Sequence, residues 1–394
     1  MNTNLVYTHR TVNTLSTRMQ SLSQEEVQRI KAFRLPNFVP PYPSKMNPLV
    51  EKVRAETWRW VEKFSLDKIY KTPKELQSFY KTDIPALAMA VYVDAGEKEA
   101  AWGCKYVSMV FLLDDLLDDM TNFCCPEKAT SLFLELSVQV MWTFPDSEQL
   151  YRKVMEILDE GEVTERSQAL SYLHSKLEMA RRNPGTVYDT SSQEHQSFCK
   201  AFRDLWATLC ETAPGDFLLR WGLLFLSQLL SYVREMKTRK YNSTPSIEEY
   251  IADRRDTGAV WTCLVNVEFL DKAFIPDEVY YCPEMQRFLI AVIDAVGWHN
   301  DLWSFQKEAL KGDVHNLVIV ISHAEDCSYA KAGEKVYHMM LDKLVEMEKC
   351  IKDLERVIPR KHQRAMARYF HMARTMITGH HYFNDNCVRY IQCA

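Results

Sequence analysis

From Asn47 to the C-terminus this 394-residue chain reads in helical periods, and almost nothing in it reads as a strand. Only 11 glycines occur, so the alternating runs bounded by Gly that mark hairpins are hard to find. Helix-capping chemistry punctuates the chain instead. "TPKELQSFY", "PDSEQLYRKVMEIL" and "TPSIEEYIADRR" each set a capping residue ahead of a helical pattern with acids in its first turn. "NPLVEKVRAETWRWVEKF" offers Asn47 as a cap and Pro48 as the first helical residue. There is no repeat of fixed period, and no Pro/Gly/Ser linker follows the proline cluster at 36–48. The pattern predicts one large all-α domain over residues 31–394, after an N-terminal extension at 1–30. Residues 1–24 are rich in Ser and Thr and carry Arg10 and Arg18 but no acids. A floppy extension fits them better than a transit peptide.

Two apolar stretches inside this pattern end abruptly in polar clusters. "YVSMVFLL" runs into "DDLLDD", residues 114–119. On a helix Asp114 and Asp118 share a face one turn apart, with Asp115 rotated away by one residue. Acids this close repel. At the end of a buried helix they call for a counter-charge; at a solvated helix end they need none. "FLIAVIDAVGW" runs into "HNDLWSFQKEALKGDVHN", residues 299–316. Asn300, Ser304 and Glu308 fall at i, i+4 and i+8, along one stripe. Amide oxygen, hydroxyl and carboxylate are hard ligands, suited to Mg2+ and unsuited to zinc. Lys307 stands beside the stripe, where it could meet an anion. The competing reading is a polar face turned to water.

Taken together, the two clusters point to one shared site. Mg2+ binds through a few protein oxygens plus substrate phosphates, seldom in an all-protein cage. A diphosphate would complete the cluster, and the apolar approaches predict a greasy pocket for a hydrocarbon tail. Composition excludes other classes. The net charge of -5 leaves no nucleic-acid footprint, and no apolar run reaches the roughly 18–20 residues of a membrane span. The 11 cysteines contain no CxxC pair, which suggests buried reduced thiols and a cytoplasmic setting.

At these positions the chain resembles the class I terpene synthases. "DDLLD" (114–118) is similar to their aspartate-rich motif, and "NDLWSFQKE" (300–308) to their second metal motif, NDxxSxxxE with a lysine before the Glu. "GDVHNLV" also looks like the family. "SIEEYIADRRDTG" resembles the segment that bears the diphosphate-sensing arginine. Arg254 lies 46 residues before Asn300, with Thr257 and Gly258 at the linker and effector positions of a helix break. "VRY" (388–390) is similar to the terminal pair that grips diphosphate, giving Arg389 and Tyr390. The likeness spans residues 35–391, including the lead-in "LPNFVPPYPSKMNP". It is greatest to single-domain microbial and octocoral cyclases, without the extra helical domain of the plant enzymes.

The resemblance implies a single-domain helical bundle in which Asp114, Asp115, Asp118, Asn300, Ser304 and Glu308 hold three Mg2+ ions. Arg254, Lys307, Arg389 and Tyr390 would bind the diphosphate. Ionisation, triggered at Gly258, would leave an allylic cation that cyclises with release of diphosphate. Glycine suits such a break because it tolerates unusual backbone geometry. Arg254→Ala is expected to cost more in ionisation than in stability, its partner being the ligand. Val107, Val110 and Phe111 before Asp114, and Ile293, Val296 and Gly297 before Asn300, should line the pocket floor, with Phe111 a candidate ring for the cation. Only one of these six is aromatic and one is a glycine, which leaves room for a long tail. Geranylgeranyl diphosphate and a cyclic diterpene are therefore expected, with farnesyl diphosphate and a sesquiterpene second, in a monomer or homodimer. A chain-elongating prenyltransferase would carry a second DDxxD and paired arginines. A non-catalytic helical binding module would have a broken ligand stripe.

Overall fold

The computed structural model describes residues 22–118, 126–144, 146–161, 171, 173–178, 192–241 and 243–387. Regular structure among them is helical throughout, in agreement with the sequence pattern. After a short helix at Gln24–Ala32, the helices Val50–Lys63, Pro73–Thr82, Ile84–Val91, Glu97–Asp118, Pro126–Met141, Glu148–Glu160, Gln193–Thr212 and Gly215–Tyr241 follow one another. The second half runs through Ile247–Thr257, Val260–Leu270, Pro283–Lys311, Leu317–Ala324, Tyr329–Val357 and Arg360–Asn386. One continuous apolar core ties them together, with stacked rings such as Phe202 on Phe225 at 4.5 Å. No helix is long and apolar enough to cross a membrane among the described residues.

Four helices position the site. The aspartate helix is Glu97–Asp118, the sensor helix Ile247–Thr257, the bridge helix Val260–Leu270 and the second-motif helix Pro283–Lys311. The bridge helix packs against both the aspartate helix and the second-motif helix. Trp102 and Phe269 meet edge to face at 5.0 Å on one side of it.

Local chemistry explains where helices begin. Thr72 and Ser246 each form a full capping box with the Glu three residues on, and Ser147 accepts from Leu150 N. Asn47 departs from expectation. The helix starts at Val50 without a side-chain cap. Asn47 Oδ1 accepts from Leu49 N, while its Nδ2 donates to the carbonyls of Tyr92 and Ala95 at 3.1 and 3.0 Å. Buried carbonyls on a neighbouring segment need a donor more than a solvated helix end does. Glycine matters most at Gly379, where a Cβ would lie 2.2 Å from Ala90 O. Its absence lets the last helix press directly on Ile84–Val91.

The boundary expected after residue 30 falls inside a helix. Ile30 is buried, Phe33 packs on Phe305 at 4.5 Å, and Gln306 Nε2 donates to the carbonyls of Ile30 and Phe33. Residues 22–33 are thus strapped onto the second-motif helix; residues 1–21 lie outside the described residues. Among the described cysteines, Cys104, Cys199, Cys350 and Cys387 are buried free thiols as expected, whereas Cys210 is exposed.

Candidate active site

The second-motif helix starts with Pro283 in its first turn and stops at Gly312, whose φ of 76° ends it. Its middle is buried nearly all round, which explains the apolar run ahead of the motif. The motif itself is organised by a residue the sequence reading passed over. Asp301, 1% exposed, accepts Arg254 Nε at 2.9 Å, Tyr250 Oη at 2.8 Å and the backbone N–H of Leu317 at 3.2 Å. Burial pushes the Asp301 carboxyl up, against the pull of Arg254. The ion pair and two further donors are what allow a carboxylate at this depth.

Asn316 is the second such residue. Its Nδ2 donates to Asp301 O at 2.7 Å, Glu308 Oε2 at 2.9 Å and Ser304 Oγ at 3.3 Å, while its Oδ1 caps the next helix at Val318 N. One buried amide thereby aims two of the three stripe residues. A signal for it existed: an Asn directly before the apolar run "LVIVISHA" reads as an N-cap. Its side-chain partners across the preceding turn could not be read.

Arg254 is brought to the motif through a bond from Nη2 to Asn300 Oδ1 at 2.8 Å. Its partners here include the buried Asp301, so Arg254→Ala is expected to carry a stability cost beside its cost in ionisation. The helix break needs a correction too. Gly258 has φ −66°, an ordinary value; the left-handed residue is Ala259, φ 54°. The reason for glycine is space, since a Cβ at Gly258 would stand 3.1 Å from Arg254 O and 3.6 Å from Arg254 Nη1. Thr257 is half-buried and lines a small recess with Tyr250, Asp253, Arg254 and His315.

On the aspartate helix, Asp114 and Asp115 are half-buried rather than solvated. Tyr70 Oη donates to Asp115 Oδ2 at 2.6 Å. Burial and the nearby charge of Asp114 raise the Tyr232 hydroxyl well above the usual tyrosine range. The side chain of Asp118 lies outside the described residues, as do Asp119, Arg389 and Tyr390. Lys307 is half-buried beside the stripe. Val107, Val110, Ile293 and Val296 are buried and Phe111 half-buried. Gly297 sits against Arg254: a Cβ there meets Arg254 Cγ at 3.8 Å and nothing else within 4 Å.

The donor set fits a hard dication. Burial, with the carboxylates of Asp313 and Asp301 close by, pushes Glu308 up to about 7. Asp313 is itself nearly buried, yet Arg239 Nη2 at 2.9 Å outweighs burial and holds it low. An excess of buried carboxylate at one end of an oxygen-rich stripe is what a dication would relieve. Among the described residues no group of three His, Cys, Asp or Glu side chains forms a ready-made metal cage.

Comparison with known proteins gives the same reading. Residues 154–346 match the family "Terpene synthase family 2, C-terminal metal binding". The chain is 28% identical over 377 residues to the alpha-gurjunene synthase of Marchantia polymorpha, covering 91% of this chain and 86% of that protein. It is 24% identical to Sesquiterpene synthase 3 of Postia placenta, over 75% of this chain and 67% of that one. The fold superposes on germacradien-4-ol synthase from Streptomyces citricolor with a TM-score of 0.67, at 18% identity, covering 89% of this chain and all of that one. The chain is thus similar to the terpene synthases over most of its length, carries the match to their metal-binding region at residues 154–346, and is an enzyme of the carbon–oxygen lyase type acting on prenyl diphosphates.

Proposed function

We propose that this protein is a Mg2+-dependent cyclase that ionises a linear allylic prenyl diphosphate. The observation that carries the reading is the convergence of Arg254, Asn300, Ser304 and Glu308 through two buried organisers, Asp301 and Asn316. Asn300, Ser304 and Glu308 would hold Mg2+ on one side of the substrate, and Asp114 with Asp115 and Asp118 on the other. Three bound Mg2+ ions would supply Lewis-acid stabilisation of the leaving diphosphate oxygen. Arg254 and Lys307, with Arg389 and Tyr390 from the C-terminus, add charge-assisted hydrogen bonds to the diphosphate. The allylic C–O bond breaks, its electron pair leaves with the diphosphate, and the cation stays with the hydrocarbon. Val107, Val110, Ile293 and Val296 give that cation dry walls without a nucleophile. The Phe111 ring can stabilise it by up to about 2 kcal/mol.

For chain length we favour farnesyl diphosphate. One relative carries a sesquiterpene name, and Gly297 abuts Arg254, which takes away part of the case for a longer cavity. Geranylgeranyl diphosphate is the second reading, favoured by the ring-free walls at Val107, Val110 and Val296. The test is incubation of the purified chain with Mg2+ and both substrates in competition, with products resolved by gas chromatography. Cyclic C15 product in excess is expected. Excess C20 product would reverse the choice, and longer prenyl diphosphates or no turnover would overturn the cyclase reading. Asp114→Ala and Glu308→Gln should abolish turnover while the circular dichroism spectrum stays native.

A further inference from the structure

Three imidazoles sit directly behind the second metal motif. His299 precedes Asn300, and the last helix contributes His380 and His381. His299 Nδ1 lies 3.1 Å from His380 Nδ1, and His299 Nε2 lies 3.2 Å from His381 Nδ1. Trp303, one turn along, donates its Nε1–H to the same His299 Nε2 at 3.1 Å. Phe38 packs edge-on against His299 and His381, at 5.4 and 5.2 Å, and fixes both rings.

The tryptophan settles the protons. An indole nitrogen only donates, so His299 Nε2 is a lone pair and the one proton of neutral His299 is on Nδ1. His299 therefore donates to His380 Nδ1, which must be the acceptor, and the proton of neutral His380 is on its Nε2. That nitrogen has no hydrogen-bond partner among the described residues and is not among their fully enclosed unsatisfied atoms, so it keeps some exposed surface where an acceptor can reach it. The ring is half-buried and lies in the field of the Arg254 guanidinium. A reachable, unpartnered donor within the influence of the Arg254 charge is suited to an anionic acceptor held there.

Resting on the cyclase reading, we propose that His380 is a further diphosphate-binding residue, which donates Nε2–H to a diphosphate oxygen and whose tautomer is set by Trp303 through His299. This makes it a donor throughout the reaction and not the base that removes a proton from the hydrocarbon cation.

The test is calorimetric titration of the full-length protein with inorganic diphosphate in Mg2+, beside steady-state kinetics on the prenyl substrate. His380→Ala should weaken diphosphate binding about tenfold or more and raise KM by a similar factor, with the product pattern unchanged. His380→Gln, whose amide keeps an N–H at about the same reach, should recover most of the loss. Trp303→Phe releases the tautomer and should weaken binding by an intermediate factor. Unchanged diphosphate affinity in His380→Ala overturns the proposal, as does a changed product pattern at unchanged affinity. If His380→Ala does not fold, His380→Gln decides alone: near-native affinity supports the donor and a tenfold loss opposes it. A wild-type protein that binds no diphosphate in Mg2+ brings down the cyclase reading itself, which separates the two failures.

Discussion

Arg254 donates through Nη2 to Asn300 Oδ1 at 2.8 Å, so the residue proposed to sense the diphosphate and one proposed to hold the metal are hydrogen-bonded to each other. The same guanidinium pairs with Asp301, 1% exposed. Arg254 is thus the partner of a buried anion as well as the cation proposed to meet the diphosphate. Arg254→Ala should lower turnover by about two orders of magnitude, as loss of a preorganised charge does. It should also lower stability by about 3 kcal/mol, because Asp301 is left unpaired. Adding Asp301→Asn should restore much of the stability and none of the turnover. Urea unfolding with turnover per folded molecule separates the two effects; a single variant of unchanged stability would contradict the pairing.

Asn316 should behave as a positioning residue for the metal ligands. Asn316→Ala removes the donor shared by Ser304 and Glu308, and such partners typically weigh 10–100-fold in metal affinity. The Mg2+ concentration for half-maximal rate should rise by at least about tenfold, with a rate at saturating Mg2+ much closer to wild type. The helix-cap loss adds about 1 kcal/mol of destabilisation. A purely structural role would lower stability and leave the Mg2+ dependence in place.

Asp256 gives a pH prediction on the sensor helix. Burial pushes its carboxyl up to about 6, against the pull of Lys153. The folded state therefore holds this proton over a range, from about pH 4 to 6, in which the unfolded chain has released it. The stability that comes from holding it is full below about pH 4 and is lost as pH rises through 6. Asp256→Asn cannot ionise, so it should be more stable than wild type at pH 7.5, by about 1–2 kcal/mol, and no more stable at pH 4. Thermal melts at both pH values test this, and a gain that is the same at both would exclude the carboxylate as its source.

The fold was legible because helical period, capping boxes and scarce glycine agree with one another from residue 47 onward. Thr72 and Ser246 cap where the local sequence says they should. Asn47 does not, since its acceptors, the carbonyls of Tyr92 and Ala95, are 45 and 48 residues away. The same division holds in the site. The stripe of Asn300, Ser304 and Glu308 follows from spacing on one helix. Asp301, Asn316 and the histidine cluster act through partners on other helices, and periodicity carries no information about those. The break at Gly258 shows a third case: the residue was readable and its reason was not, because the space it leaves for Arg254 is a tertiary fact.

Gly297 offers the sharpest test of what the structure changes. From spacing alone it belongs to the pocket floor, and Gly297→Phe should then favour the shorter substrate. In the structure a Cβ at this position points at Arg254 Cγ, 3.8 Å away. Alanine fits there and removes a helical glycine, so Gly297→Ala should keep near-native turnover and gain up to about 1 kcal/mol of stability. A phenyl ring extends well past the Cβ and has to displace the guanidinium from Asn300 and Asp301. Gly297→Phe should therefore cut turnover at least tenfold, by about 1.4 kcal/mol or more in the barrier, on farnesyl and geranylgeranyl diphosphate alike, leaving their ratio unchanged. The competition assay reads both quantities at once. A Gly297→Phe enzyme that stays active and shifts toward farnesyl diphosphate would return this residue to the floor of the pocket, and with it the case for a C20 substrate in the wild type.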